Sequence, residues 1–253
     1  MAEPLDPGFL TSPIAHRGLH GGRDVENSVS AIRAASAAGF AVEIDIQPSA
    51  DGVAMVFHDT TLDRLTEETG RVDARPAAAL RKLRLAGSED EIPSLAHVLQ
   101  AIGGTVPLLI EIKDQDGALG PDIGDVHQAV ARELLGYAGA VAVMSFNPDT
   151  VAAFAEALPH VPRGLVIDAM TAEHWPDVPA ERRKRLAAVE DAARLDIAFA
   201  SCNRTYLNAA PVAALKDRDL PILTWTIRSP EEEADARRIA DNITFEGYHP
   251  TTP

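Results

Sequence analysis

The sequence predicts an α/β chain folded as a (β/α)8 TIM barrel with a small insertion after the second strand, and three observations carry that expectation. Short β-type runs alternate with Ala-rich helical stretches from one end to the other, the pattern of a parallel sheet built from repeated βα units. Eight such runs can be counted. The 253 residues match the ~250 typical of a one-domain barrel, so a single domain is expected over residues 1–253.

In chain order the predicted strands cover residues 12–17, 41–47, 106–113, 140–146, 163–168, 196–201, 221–227 and 242–246. Helices are predicted between them at 28–38, 95–102, 123–135, 149–158, 180–193, 209–218 and 230–240. Several boundaries have a local cause. Gly39 and Gly103-Gly104 stand where a left-handed cap ends a helix, and Ser94 before Leu95 is an N-cap candidate. Pro148-Asp149 and Ser229-Pro230 mark helix starts, because a first turn has no internal N–H partner to lose. The segment 60–93 is too long for an ordinary βα loop and is expected to form a small lobe over one barrel rim.

Composition narrows the function classes. Apolar residues make up 46% against 24% charged, which is the balance of a chain with a core to bury. Lys plus Arg number 23 and Asp plus Glu 38, for a net charge of −15, and that average field argues against a nucleic-acid partner. A small phosphate ester is still admissible, because its binding depends on local charge. Cys202 is the only cysteine, so a disulfide and a thiolate metal cluster are both excluded. Met1–Thr11 has two acidic residues, two prolines and no apolar signal region, and no apolar run reaches the ~18 residues of a membrane span. A cytoplasmic protein is expected. Barrels of this size commonly pair through exposed helices, which leaves a homodimer open.

Four polar clusters fall near the ends of the first three strands or just after them: His16-Arg17-Gly18, Glu43-Ile44-Asp45, His58-Asp59 and Glu111-Ile112-Lys113. The C-terminal face of a barrel is where active sites are built. Residues two apart on a strand share a side, so Glu43 faces with Asp45 and Glu111 with Lys113, while Ile44, Ile46, Ile110 and Ile112 face the helices. Taken singly, each pair reads more readily as a solvated strand end, a surface ion pair or a turn. Three carboxylates converging on one mouth, however, repel strongly unless a cation or protons lie between them. Their oxygen ligands suit one divalent cation, Mg2+ or Ca2+, with Mn2+ also admissible.

The run Ile14-Ala15-His16-Arg17-Gly18, then Glu26-Asn27-Ser28, Gly39, Glu43-Ile44-Asp45, Asp51-Gly52, His58-Asp59, Leu62, Arg64, Thr66 and Gly70 resembles the N-terminal signature of the glycerophosphodiester phosphodiesterase family. Glu111-Ile112-Lys113, Ser145-Phe146 and Trp225-Thr226-Ile227 look like its later motifs in the right order. The resemblance implies the barrel with an insertion after the second strand. It also implies Glu43, Asp45 and Glu111 as metal ligands, His16 and His58 as catalytic imidazoles, and Arg17 and Lys113 at the phosphate and metal centre. The chain departs from the pattern where the family commonly carries Thr-Asp on the last strand: here it reads Ile243-Thr244-Phe245-Glu246-Gly247. Segment 168–210 gives no match.

The implied activity is metal-dependent hydrolysis of glycerophosphodiesters to glycerol 3-phosphate and an alcohol, in lipid and glycerol metabolism. Two imidazoles can share acid and base duties at neutral pH, the attacking group being either the neighbouring glycerol hydroxyl or water. Phe146 and Trp225 are candidate contacts to the carbon skeleton. Asn27 is a candidate for the phosphate or for a turn, Glu26 beside it likewise, and Asp59 could orient His58. The remaining histidines, His20 among them, read as surface or packing residues. Two alternatives stand beside this reading: a related phosphodiesterase acting on lysophospholipids or on opine or sugar phosphodiesters, and a non-catalytic barrel that binds a phosphoryl ligand.

Overall fold

The structure is a computed structural model that describes residues 3–250. Met1, Ala2 and residues 251–253, the outermost positions of the expected domain, lie outside the described residues. In order the chain forms α1 (Gly8–Thr11), β1 (Ile14–Ala15), α2 (Val29–Ala37), β2 (Ala41–Pro48), β3 (Ala54–Val56), α3 (Ala77–Leu80), α4 (Leu95–Ile102), β4 (Leu108–Ile112), α5 (Val126–Leu134), β5 (Val141–Ser145), α6 (Pro148–Ala157), β6 (Arg163–Ile167), α7 (Ala180–Ala187), β7 (Phe199–Asn203), α8 (Ala210–Lys216), β8 (Ile222–Ile227), α9 (Pro230–Ala236) and β9 (Asn242–Phe245).

The strands are hydrogen-bonded in the order β1-β9-β8-β7-β6-β5-β4-β2, and β1 pairs back with β2 to close the ring. Every pairing in the ring is parallel. This is the expected (β/α)8 barrel. The residues predicted to face outward do so: Ile44, Ile46, Ile110 and Ile112 pack with Leu95, Val98 and Val130 of the helical shell. Inside the ring a second cluster joins Ile14, Ala41, Leu109, Ala142, Val166, Phe199 and Leu223. The Phe199 ring occupies so much of this space that a Cβ on Gly164 would come within 2.5 Å of it, so only glycine fits there.

Several boundaries differ from expectation, each for a local reason. The first strand contributes a ladder of only Ile14–Ala15: Pro13 has no N–H to donate, and Arg17 turns away at φ 56°. β7, the sixth of the predicted strands, starts at Phe199 rather than 196 because Asp196 is left-handed at φ 48°. The helix expected over 180–193 ends at Ala187, with Val189 at φ 55° separating it from a 3-10 turn over Glu190–Ala193. That over 123–135 begins only at Val126, after Gly124 at φ 57°. The predicted N-cap Ser94 accepts from the His97 N–H, and Ser229 caps α9 from Glu232 N.

Three elements were not foreseen: α1, β3 and α3, the last inside the insertion. β3 is a short antiparallel strand on β2, paired Ile46 to Val56, and it leads into the insertion. That insertion has its own apolar centre of Met55, Phe57, Leu62, Val72, Leu80, Leu85 and Ile92, which makes it the expected lobe; Thr60 and Thr61 bring it to the cavity described below. α1 closes the opposite end of the barrel. Its Phe9 is fully buried in the inner cluster, and Asn242 at the start of β9 donates to Phe9 O and Ser12 O at 2.8 and 2.7 Å. No described helix is long and apolar enough to cross a membrane.

Candidate active site

A cavity of about 710 Å³ opens at the C-terminal ends of the strands. Of the sequence-predicted residues, His16, Arg17, Glu43, His58, Glu111, Lys113, Phe146 and Trp225 line it. Asp45 sits just behind its wall and is fully buried. Strand register gathers the acids: Glu43 and Asp45 both point inward from β2, and Asp45 is level with Glu111 on β4. One oxygen from each of the three lies within 4.8 Å of the others. At that separation two carboxylate charges repel by roughly 3–4 kcal/mol even at an effective dielectric of ~20, so the cluster needs positive partners or a proton.

The protein supplies some of them. Lys113 Nζ lies 2.8 Å from Asp45 Oδ1 and 2.6 Å from Glu111 Oε1, and Arg17 Nε lies 3.2 Å from Asp45 Oδ2. The Arg17 backbone N–H donates to Glu43 Oε2 at 2.9 Å. Burial, reinforced by the charges of Asp45 and Glu111, pushes the Glu43 carboxyl well above the usual range. Burial opposes ionisation of Asp45 too, but Lys113, His58 and Arg17 outweigh it and hold that carboxyl well below the usual range. Glu43 Oε1 is buried with no hydrogen-bond partner. Three hard oxygen donors with one oxygen left over and an excess of negative charge fit a divalent cation.

Each imidazole is backed by a carboxylate. His16 Nδ1 is 2.6 Å from Glu246 Oε2, and His58 Nδ1 is 2.6 Å from Asp59 Oδ1. Hydrogen bonds from His16 and His20 hold the Glu246 carboxyl well below its usual range. Against burial, bonds from His58 and Arg64 do the same for Asp59. An ionised carboxylate only accepts, so Nδ1 of each ring carries a proton and Nε2 is the nitrogen left for proton exchange. Burial also lowers the His16 pKa below 6.5, Glu246 opposing, which keeps this ring neutral at pH 7.

The structure places other predicted residues outside the cavity wall. Asn27 does not line the cavity: its Nδ2 donates to Asp45 Oδ2 at 2.9 Å and its Oδ1 accepts from Asp45 N at 3.2 Å. Both ends of the amide are thus spent on positioning one carboxylate. Glu26 accepts from Arg17 and Arg64, each at 2.7 Å. His20 is neither a surface nor a plain packing residue, since its Nε2 lies 3.6 Å from Glu246.

Sequence reasoning missed Glu246 and Trp175. Glu246 had a usable signal, its place two residues beyond the inward-facing Thr244 on the last strand. Trp175 had none: it lies in the unmatched loop after β6 and is held by an Nε1 bond to Asp168 at 2.8 Å. Its ring packs 4.9 Å from Phe146, which in turn is 5.6 Å from Trp225, giving the cavity an aromatic side opposite the charged one.

Comparison with known proteins agrees with this architecture. The profile of the glycerophosphoryl diester phosphodiesterase family matches residues 16–242. A glycerophosphodiester phosphodiesterase of Bacillus subtilis (strain 168) is 25% identical over 260 residues, covering 92% of this chain and 83% of its own. Glycerophosphodiester phosphodiesterase 1 of Bos taurus is 35% identical over 120 residues, but these are 43% of this chain and only 36% of the bovine one; the match thus spans about a third of that relative. Among solved structures, an Oleispira antarctica phosphodiesterase in complex with the product sn-glycerol-3-phosphate superposes with a TM-score of 0.75 at 24% identity, over 94% of this chain and 93% of that one. With the profile running through almost the whole barrel, the chain belongs to the glycerophosphoryl diester phosphodiesterase family.

Proposed function

We propose that residues 1–253 act as one barrel domain that hydrolyses glycerophosphodiesters to glycerol 3-phosphate and an alcohol. One observation carries the reading: three carboxylates and two carboxylate-backed imidazoles converge on a single cavity. In this reading Glu43, Asp45 and Glu111 hold a divalent cation, Mg2+ or Ca2+, that supplies positive charge to the phosphoryl oxygens and orients the diester. Arg17 and Lys113 add donors on the same oxygens. His16, buried and neutral, takes the proton from the attacking hydroxyl through Nε2. His58, on the lobe side, returns a proton to the leaving alkoxide. Asn27, Glu246 and Asp59 work one step back: Asn27 fixes Asp45, a ligand of the cation, while Glu246 and Asp59 fix the imidazoles of His16 and His58. A cytoplasmic setting and action within lipid and glycerol metabolism belong to the same proposal.

The test is release of glycerol 3-phosphate from a panel of glycerophosphodiesters, with and without EDTA. Turnover that collapses on chelation and returns with Mg2+ or Ca2+ is the expected result. Absence of turnover with every diester and cation would leave a phosphoryl-binding barrel and sink the proposal. A second reading, a larger lysophospholipid substrate, is favoured by the aromatic side of Phe146, Trp175 and Trp225 in a cavity of about 710 Å³. Choline release from lysolipids faster than from glycerophosphocholine would select it.

A further inference from the structure

Two hydroxyls on the cavity wall have no partner among the described residues. Ser201 on β7 and Thr244 on β9 both line the cavity at 0% and 2% exposure. Neither Ser201 Oγ nor Thr244 Oγ1 has a hydrogen-bond partner among the described residues. Strand hydroxyls that point elsewhere in the same barrel are bonded: Ser145 Oγ donates to Ile112 O at 2.7 Å, and Thr224 Oγ1 to Cys202 O at 2.8 Å. A buried polar group without a partner is destabilising, so two on the wall of one cavity call for a reason.

Their placement supplies one. The acids and imidazoles come from β1, β2, β4 and the lobe, whereas Ser201 and Thr244 flank β8, Ser201 across the ring on β7 and Thr244 on β9 beside β1. Between them Trp225 donates its indole N–H to Ser201 O at 3.1 Å, which fixes the ring as a wall of the same chamber. Thr244 is in register with Ile14, two residues before His16, so the group it touches lies next to that imidazole. A hydroxyl both donates and accepts, and an apolar ring face beside two such groups matches a short polyol.

We infer that Ser201 and Thr244 form the subsite that reads the free hydroxyls of the substrate's glycerol end, with Trp225 against its carbon chain. This rests on the phosphodiesterase reading and names the residues that make it selective for a polyol ester. A plain alkyl phosphate of the same length fills the space but leaves both hydroxyls unbonded, and a site built to bond a substrate hydroxyl discriminates strongly against the analogue lacking it.

The test is titration calorimetry of the Mg2+-loaded protein with sn-glycerol 3-phosphate and with n-propyl phosphate, which has the same carbon skeleton and neither hydroxyl. The wild type is expected to bind glycerol 3-phosphate about tenfold more tightly or better. Ser201→Ala combined with Thr244→Val should bring that ratio to within about twofold of unity, while Thr244→Ser, which keeps the hydroxyl, should preserve it. Equal affinities in the wild type overturn the inference even if no variant folds, as does a ratio unchanged in the double variant; the hydroxyls then do no more than hold water. The ratio is read without turnover. A protein that hydrolyses glycerophosphodiesters yet shows no preference refutes this subsite alone, whereas one that binds neither ester refutes the phosphodiesterase reading with it.

Discussion

Glu246 stands where strand register puts it. Ile14 pairs with Thr244 and Ala15 with Phe245, so the next step along both chains brings His16 level with Glu246. Its other oxygen is held by Arg228, at 2.8 Å from Nε and 2.7 Å from Nη2, which leaves Oε2 aimed at the ring. Glu246→Gln keeps the size but offers an amide that can donate, so the wrong tautomer of His16 becomes available. A fall of about 10²–10⁴-fold in kcat is expected with the fold intact by circular dichroism. The carboxylate also favours the protonated ring, so its loss should move the acid limb of the kcat/KM profile to lower pH. Burial already depresses the His16 pKa in the wild type, so that limb is expected on the acid side of an ordinary imidazole's. An unmoved limb and undiminished kcat would remove Glu246 from the mechanism. The acid–base assignment has its own check in the leaving group. p-Nitrophenolate needs little protonation, so His58→Ala should lose far less activity on a p-nitrophenyl phosphodiester than on glycerophosphocholine. His16→Ala should lose about the same on both, and the reverse pattern would exchange the two roles.

At the level of elements, the insertion does more than cover the rim. Arg64 reaches from the lobe with Nε and Nη2 on Asp59 at 2.7 and 2.9 Å, and Nη1 and Nη2 on Glu26 at 2.9 and 2.7 Å. Since Asp59 fixes His58 and Glu26 fixes Arg17, one guanidinium joins the His58 side of the cavity to the Arg17 side, which are the acid–base and phosphate sides in the proposed mechanism. Arg64→Gln should therefore lower kcat and raise KM together, by about tenfold each. Arg64→Lys, which keeps the charge but not the fork, should recover only part. Values within twofold of wild type for Arg64→Gln would mean the lobe merely covers the site.

Legibility from sequence divides along the same line. Elements with a strong period were readable: all eight ring strands, and the inward acids on β2 and β4, follow from alternation alone. Features set by tertiary context were not. The three-residue β3 is too short to show a period, Val189 breaks a helix with a residue that carries no breaker signal, and Trp175 is placed by one bond to Asp168. Asn27 was visible as a motif residue, but nothing local says that its amide closes on Asp45, 18 positions away.

Across the whole molecule the barrel has one sealed end and one charged end, and each can be tested through stability. The sealed end depends on Phe9, fully buried beneath the inner cluster; Phe9→Ala should cost about 3–5 kcal/mol, read as a lower urea midpoint at unchanged slope. The charged end behaves oppositely, because Glu43, Asp45 and Glu111 are crowded in the folded state and apart in the unfolded one. A cation that gathers them binds only the folded chain, and at 100 times its dissociation constant it adds about 2.7 kcal/mol. For a chain of this size that is a rise in Tm of roughly 5–10 °C. Neutralising one ligand, as in Glu111→Gln, removes both an attraction for the ion and a repulsion within the apo site. This variant should therefore melt near or above the wild type in EDTA, yet gain much less on adding Mg2+ or Ca2+. If the wild type gains nothing from either ion while Glu111→Gln melts lower in EDTA, then Lys113 and Arg17 alone balance the acids, and no cation is needed to hold this end of the barrel together.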